Sequence, residues 1–425
     1  MKTTIVIGGG AAGLMAAYEL SKQKNHIIIL EAKNRLGGRI FTTNNNNFSE
    51  PIEAGAEFIH GDLPVTISLL KEAGITYQAI AGKMFKLENG KFHQQKNKDG
   101  HWNKVMKQMQ QLEVDMSLDD FLNTFFSDDK YAELRKSVKD FAGGFDLADA
   151  SKASVKSLFR EWNNESGKQY RIDGGYVQLV NFLETQCRKN GCVIHTNCCV
   201  KKINWQKDEV NINTMCSRFF KSDKIIITVP VSVLQANDDN ENYIEFSPSI
   251  PQHIQAAKNI GFGTVIKVLL EFNEAFWQQQ STNVGFILTS QKIPTWWTQL
   301  PPGNAILTGW VGGEKAVALS NKTDEEILEI ALQSLCNAFA ISKEDLQSKL
   351  KASSIYNWYK EPDIVGGYSY NTLESVAAKK VLRQPVDDTI FFSGEALFEG
   401  TPVGTVEAAL DSGKKTASKV LATLH

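Results

Sequence analysis

The chain has 425 residues, 42% hydrophobic and 22% charged, the balance of a globular protein with room for roughly two or three domain-sized units. A formal net charge of −2 excludes a nucleic-acid or anionic membrane surface as the main partner. No apolar run of about 18 residues offers a membrane span, and a strand starting close to Met1 leaves no room for a signal peptide, so a cytoplasmic location is expected.

The stretch from Thr4 to Leu20 reads as strand, tight turn and helix. Ile5, Val6 and Ile7 form the short apolar run of a strand buried on both faces. Gly8, Gly10 and Gly13 then give G-x-G-x-x-G. Gly8 permits the turn, Gly10 lets the backbone approach a pyrophosphate, and Gly13 lets helix and strand pack closely. The helix start, with Ala12 in its first turn, offers N–H groups and partial positive charge to phosphates. A second apolar run, Ile27 to Leu30, ends at Glu31, where an acid suits ribose hydroxyls and repels a 2′-phosphate. These residues predict an adenine dinucleotide and leave NAD and FAD open.

Glu31-Ala-Lys-Asn-Arg-Leu-Gly-Gly-Arg39 resembles the E-A-x-x-R-x-G-G-R signature of the flavin amine oxidase superfamily. The resemblance implies FAD. Lys33 stands where many members carry arginine and leaves a cation near the adenosine; Gly38 allows a second close backbone approach, and Arg39 supplies a cation for the pyrophosphate. The plain alternative is a glycine turn flanked by surface arginines. After the polar tract Asn44–Asn47, a loop signal, Glu50-Pro-Ile-Glu-Ala-Gly-Ala-Glu-Phe-Ile-His-Gly61 resembles the segment beside the flavin ring in polyamine oxidases. The resemblance places Gly55, Ala56, Glu57 and Phe58 against the ring and His60 at the substrate cavity. Without it, His60 reads as a structural histidine near a turn.

From about 63 to 170 the doubly wound pattern is absent. Helical stretches are expected at Thr66–Ala73 and Tyr131–Phe141, and a charged loop at Lys96–His101. Ser117 is the expected N-cap of a helix to Phe126, with Asp119 and Asp120 in its first turn. The acids of this segment read as caps and solvated faces rather than amine ligands. The chain returns to the nucleotide domain at Tyr170-Arg-Ile-Asp-Gly-Gly-Tyr176 and passes through Cys192–Val200 into a β-meander. The resemblance puts adenine at Val200 and makes Lys224–Pro230, with Thr228, the strand closing that domain. Six cysteines, five of them from Cys187 to Cys216, fit no zinc spacing and are expected to be reduced thiols. No metal is expected.

Alternation in the next strand puts Thr264, Ile266, Val268, Leu270 and Phe272 on one face and Val265, Lys267, Leu269 and Glu271 on the other. Lys267 faces solvent or a polar cavity, and the pattern alone reads it as a gatekeeper against edge pairing. The resemblance instead makes it the amine oxidase lysine that holds a water against flavin N5. Trp296, Trp297 and Trp310 read as core or cavity wall, and Thr323 as the N-cap of a helix reaching Ala340. In Trp358-Tyr-Lys-Glu-Pro-Asp-Ile-Val-Gly-Gly-Tyr368 the resemblance has Trp358 flank the flavin and Tyr368 orient the amine. Gly367 stands where monoamine oxidases attach the flavin through cysteine, which implies noncovalent FAD. Last, Gly394-Glu395 and Gly404-Thr405-Val406 resemble the closing family signature. Glu395 is expected near the ribityl–pyrophosphate region, and the helix start at Thr405-Val406 at the flavin's pyrimidine end. Thr405 replaces a second cage tyrosine.

The expected fold is an α/β, Rossmann-like FAD-binding domain of discontinuous segments, 1–78, 171–238 and 362–425. An α+β substrate domain, 79–170 and 239–361, is inserted between them. The implied activity is FAD-dependent oxidation of a small-molecule amine to an imine by hydride transfer to N5, with dioxygen or another acceptor regenerating the flavin. No arginine follows Gly55-Ala56 to grip an α-carboxylate, and Glu57 would favour a cation if it reached the cavity, so a polyamine-like substrate is expected. Alternatives are a desaturase, a protoporphyrinogen oxidase-like enzyme, an L-amino acid oxidase, or a noncatalytic FAD-binding partner protein.

Overall fold

In the computed structural model, residues 2–23, 25–94, 100–164, 167–279, 281, 283–301 and 303–424 are described. Thr3–Ile7 is the middle strand of a five-stranded parallel sheet in the order Val193–His195, His26–Leu30, Thr3–Ile7, Lys224–Ile227, Ile390–Phe392. Its apolar run is buried on both faces because two separate cores meet at this strand. Val6 joins one with Leu14, Leu179 and Leu410; Ile5 and Ile7 join the other with Ile203, Ile212 and Ile225. The helix Ala11–Ser21 is apolar almost all round, as a buried helix must be. Its alanines also admit the C-terminal helix Val406–Ala422: a Cβ on Gly413 would lie 2.4 Å from the Ala12 carbonyl oxygen. The meander follows as a four-stranded sheet, Phe219–Ser222, Glu209–Thr214, Val200–Gln206, Glu245–Ser247.

The second large sheet has seven strands in the order Leu350–Asn357, Val265–Phe272, Asn304–Gly312, Thr295–Gln299, Val284–Leu288, Lys83–Glu88, Lys91–Gln94. Ile266, Val268, Leu270 and Phe272 pack under the helix Asp324–Phe339, which Thr323 caps as expected and which also has a Thr323–Glu326 capping box. The opposite face of Val265–Phe272 is covered as well. Leu269 packs on Phe48 and Ile52, and Val265 on Leu147 and Trp358. All eight residues of the strand are therefore buried. It also lies between two partner strands, so Lys267 cannot guard a sheet edge.

Four helices, Gly100–Gln110, Leu118–Phe125, Ala132–Phe145 and Val155–Asn164, share a core of Val105, Phe121, Leu122, Val138, Leu158 and Trp162. Ser117 caps the second of them, its hydroxyl accepting the Asp120 N–H at 3.1 Å. Residues 96–99 of the expected charged loop lie outside the described residues, and from Gly100 the chain is already helical. Among the described residues no helix is long and apolar enough to cross a membrane. The six cysteines are free thiols.

Candidate active site

One cavity of about 1110 Å³ runs from the glycine-rich turn to the face of the seven-stranded sheet that carries Lys267. At its nucleotide end the turn is held by Thr228, whose hydroxyl lies 2.9 Å from the Ile7 and 3.0 Å from the Gly8 carbonyl oxygen. Thr228 lines the cavity, but its side chain is spent on the turn, so it positions the glycines rather than reaching for a ligand. Packing alone requires glycine at two positions of the motif. A Cβ on Gly8 would meet Thr228 Oγ1 at 2.6 Å, and one on Gly13 the Gly8 carbonyl oxygen at 2.0 Å. Gly13 accordingly serves helix packing and does not line the cavity.

Gly10 differs. Its φ is −79°, and the nearest protein atoms to a Cβ there are Gly37 O at 3.9 Å and Gly38 Cα at 4.0 Å. Protein packing does not forbid a side chain at Gly10; that side chain would fill the cavity beside the helix start. Ala11 and Ala12 line the cavity beside it, in a first helical turn with no side-chain cap, which leaves N–H groups for an anion. Glu31 is buried at the end of its strand. It accepts the Gly9 N–H at 2.6 Å and the Lys33 N–H at 2.8 Å, and burial raises its carboxyl despite both bonds. Each oxygen keeps a lone pair for a ribose hydroxyl. Val200, with Cys198 and Cys199, lines the same end.

Two expected cations are paired internally. Lys33 Nζ is 2.5 Å from Glu361 and 3.7 Å from Asp363, so its charge is neutralised within the protein. Arg39 donates through one nitrogen to Glu395 at 2.7 Å and to the Gly367 carbonyl at 2.9 Å. Glu395 in turn accepts the Ser369 hydroxyl at 2.6 Å. Arg39, Gly38, Glu395 and Gly394 all line the cavity, and Gly394, at φ +155°, presents bare backbone to open space. Gly404, Thr405 and Val406 line it at the start of the helix Val406–Ala422, where Thr405 caps by accepting the Ala408 N–H at 3.2 Å. Gly404 also lets the Tyr368 ring approach: a Cβ there would lie 2.7 Å from Tyr368 Cδ2.

The motif segment Gly55, Ala56, Glu57, Phe58 and His60 lines the middle of the cavity beside Trp358, whose indole donates to the Ala54 carbonyl at 2.9 Å. Lys267 points here, 1% exposed. Its ammonium donates to the carbonyls of Glu53 at 2.7 Å and Gly55 at 3.1 Å and to Glu57 Oε2 at 2.7 Å. An ammonium has three donors, and all three are taken within the wall. This corrects the expectation of a lysine free to order a water. Glu57 is corrected too. Its Oε1 accepts from Arg171 Nε at 3.0 Å, Trp297 Nε1 at 2.9 Å and Gln299 Nε2 at 3.3 Å, with Arg171 Nη2 in ion-pair contact at 2.9 Å. Burial pushes its carboxyl up, but Lys267 and Arg171 outweigh burial and hold it at about 2. Glu57 is an internal counter-ion, not a free anion for a substrate cation.

Aromatic rings cluster on the wall beyond: Phe58, His60, Phe145, Phe286, Trp297, Trp310 and Tyr368 line it. His60 is half-buried, its ring edge-on to Phe58 at 6.1 Å and Phe145 at 6.0 Å. Burial lowers its pKa to about 4, so the imidazole is neutral at physiological pH. The Tyr368 hydroxyl donates to the Phe145 carbonyl, which fixes the ring as a wall and occupies its proton. Burial and the nearby Asp146, Glu161 and Glu395 carboxylates raise its pKa well above the usual phenol value.

Sequence reading passed over several of these residues. Arg171 and Gln299 carry no local motif. Asp146 and Glu161 belong to the segment whose acids read as caps and solvated faces, yet both line the cavity. Asp146 accepts the Trp162 indole N–H at 2.8 Å. Burial pushes the Glu161 carboxyl up to about 7 against the pull of Lys379 and Arg160. A signal existed: Glu161 sits three residues after Leu158, on the buried face that Leu158 and Trp162 define.

The sequence profile of flavin containing amine oxidoreductases matches residues 11–421. The chain belongs to that family. The family is described as flavin containing amine oxidoreductases, so membership implies a flavin cofactor. The amine oxidoreductase is 24% identical to human lysine-specific histone demethylase 2 over 456 residues, covering 99% of this chain and 53% of the demethylase. It thus spans about half the length of that relative. It is 25% identical to probable polyamine oxidase 4 of Arabidopsis thaliana over 434 residues, 93% of this chain and 82% of the relative. Its fold matches putrescine oxidase bound to putrescine at a TM-score of 0.82 and 20% identity, over 99% of each chain.

Proposed function

We propose that this chain is an FAD-dependent oxidase of an extended, polyamine-like amine lacking an adjacent carboxylate, with dioxygen as acceptor and hydrogen peroxide as product. The observation that carries this reading is the continuity of one cavity from the Gly10 cradle and Glu31 to the aromatic wall of Phe58, Trp297 and Tyr368. Flavin bound there supplies the two-electron acceptor for oxidation of the carbon beside nitrogen. Segments 1–78, 171–238 and 362–425 would hold it, with Gly8, Gly10, Ala12, Glu31, Gly38, Arg39, Gly55, Ala56, Trp358, Gly394, Glu395, Gly404, Thr405 and Val406 around it.

The other residues bind and orient. The Tyr368, Phe58 and Trp297 rings exclude bulk water and offer π faces to an ammonium. Neutral His60 adds no positive charge to repel it. Asp146 and Glu161 bring two carboxyl groups to the cavity wall near Tyr368, although the Glu57 carboxylate is already paired. Chains named polyamine oxidase and putrescine oxidase among the relatives support this substrate class.

The test is peroxide release under air across spermine, spermidine, putrescine, benzylamine, tyramine and common L-amino acids. Release with an extended amine and none with amino acids is expected. Release with an L-amino acid alone would overturn the substrate assignment. Because Gly367 provides no thiol for attachment, acid precipitation is expected to leave the yellow cofactor in the supernatant. Colour retained by the washed pellet would contradict noncovalent binding.

A further inference from the structure

Glu57 lies where two cations converge on the cavity wall. Arg171 meets its Oε1 through both Nε and Nη2, and Lys267 meets its Oε2. Neither cation depends on Glu57 for its place. Arg171 Nη2 also donates to the Thr298 carbonyl at 3.0 Å, and its Nη1 to the Leu300 carbonyl at 3.2 Å. Its guanidinium lies 4.8 Å from the centre of the Phe58 ring. Lys267 is pinned by the Glu53 and Gly55 carbonyls. The Trp297 and Gln299 side chains add two neutral donors aimed at the same carboxylate. A guanidinium fork, an ammonium and two neutral donors converging on one point form a preorganised carboxylate site. The carboxylate in it belongs to the protein, and it lines the cavity.

We propose that Glu57 is a specificity-determining residue: it fills this site with its own carboxylate and so denies the site to substrates carrying a carboxylate beside the reacting carbon. The inference deepens the amine oxidase reading and rests on it for its kinetic consequence. Specificity of this kind comes from withholding a partner rather than from adding a contact to the favoured substrate. An α-carboxylate entering the cavity leaves water and finds both cations already neutralised, with Glu57 repelling it. Truncating Glu57 leaves a void of carboxylate size between two fixed cations.

The experiment is thermal unfolding of the holoprotein and its Glu57→Ala variant in sodium acetate and in sodium chloride of equal concentration. Acetate at 100 mM is expected to raise the variant's Tm by about 2 °C or more over chloride, with no such difference in the wild type. In the same variant, the ratio of kcat/KM for phenethylamine over that for L-phenylalanine is expected to fall about tenfold or more, one well-placed ion pair's worth. Glu57→Ser, which keeps a small acceptor for one cation, carries both measurements if the alanine variant does not fold. No acetate-specific shift in either variant would overturn the proposal. So would failure of both variants to fold even in acetate, because refilling the void should restore the cluster. The acetate shift needs no turnover, so it tests the site even if the amine oxidase reading fails. An acetate shift without a change in the kinetic ratio would overturn the specificity role and leave only the preformed site.

Discussion

Lys267→Met is expected to lose about 3–5 kcal/mol of stability, the cost of removing one partner from a buried ion pair. Methionine fits the volume of the lysine stem but returns none of its three hydrogen bonds. The Glu53 and Gly55 carbonyls lose a donor, and Glu57 is left with Arg171 as its one cation in the cluster. Loss of Lys267 removes the first of the charges that hold the Glu57 carboxyl at about 2. The sign of the pH dependence follows. The Glu57 contribution is present above the ordinary carboxylate pKa of 4.5 and is lost as pH falls toward about 2, so the wild type should shed stability on acidification. The variant should shed less, because less of that contribution remains. Adding Glu57→Gln to Lys267→Met should recover part of the loss, a coupling that denaturant midpoints of the four proteins would measure. A Lys267→Met protein as stable as the wild type, with turnover about 10–10³-fold slower, would instead restore the lysine to a water-holding catalytic role.

Gly10→Val and Gly13→Ala should separate the two uses of glycine in one motif. Valine at Gly10 brings its Cβ only into ordinary van der Waals contact with Gly37 and Gly38 and suits the extended backbone there, so the cofactor-free protein should unfold near the wild-type temperature. Its branches occupy the phosphate cradle, so flavin should bind about 10–100-fold more weakly, an overpacking cost of about 1–3 kcal/mol. Gly13→Ala places its Cβ 2.0 Å from the Gly8 carbonyl oxygen, a backbone atom that cannot swing aside. That substitution should cost about 4 kcal/mol, the upper range for a single change, with or without flavin. Cofactor-free melting temperatures and flavin fluorescence titrations distinguish the outcomes. A Gly10→Val protein that binds flavin normally would remove the nucleotide from the cradle.

The parts of this site that sequence made legible are those built from neighbouring residues. Gly8, Gly10, Gly13 and Glu31 lie within one strand–turn–helix–strand unit, so spacing alone brings them together. Alternation along Val265–Phe272 sorted its side chains correctly into two faces. It could not show that the second face is also covered, because the covering residues Phe48, Ile52 and Leu147 come from distant segments. The same limit hid the Glu57 cluster. Its donors arrive from the strands Gln169–Ile172, Val265–Phe272 and Thr295–Gln299, and no local period connects Arg171, Lys267 and Trp297. Charge was misjudged for a related reason. Lys33, Arg39 and Glu57 each look like a free charge in the sequence, and each is paired across more than two hundred residues of chain. Asp119 and Asp120 sit in the first turn of a capped helix as expected, whereas Asp146 and Glu161 turn inward because their helices bury that side against the cavity.

Anaerobic mixing of the yellow holoprotein with amine tests the central claim most directly, because it needs no acceptor and reads the cavity's own chemistry. Loss of the visible flavin band on mixing with spermidine or putrescine, with L-amino acids leaving it unchanged, is the predicted result. A band that bleaches with an L-amino acid while every amine leaves it intact would contradict the account.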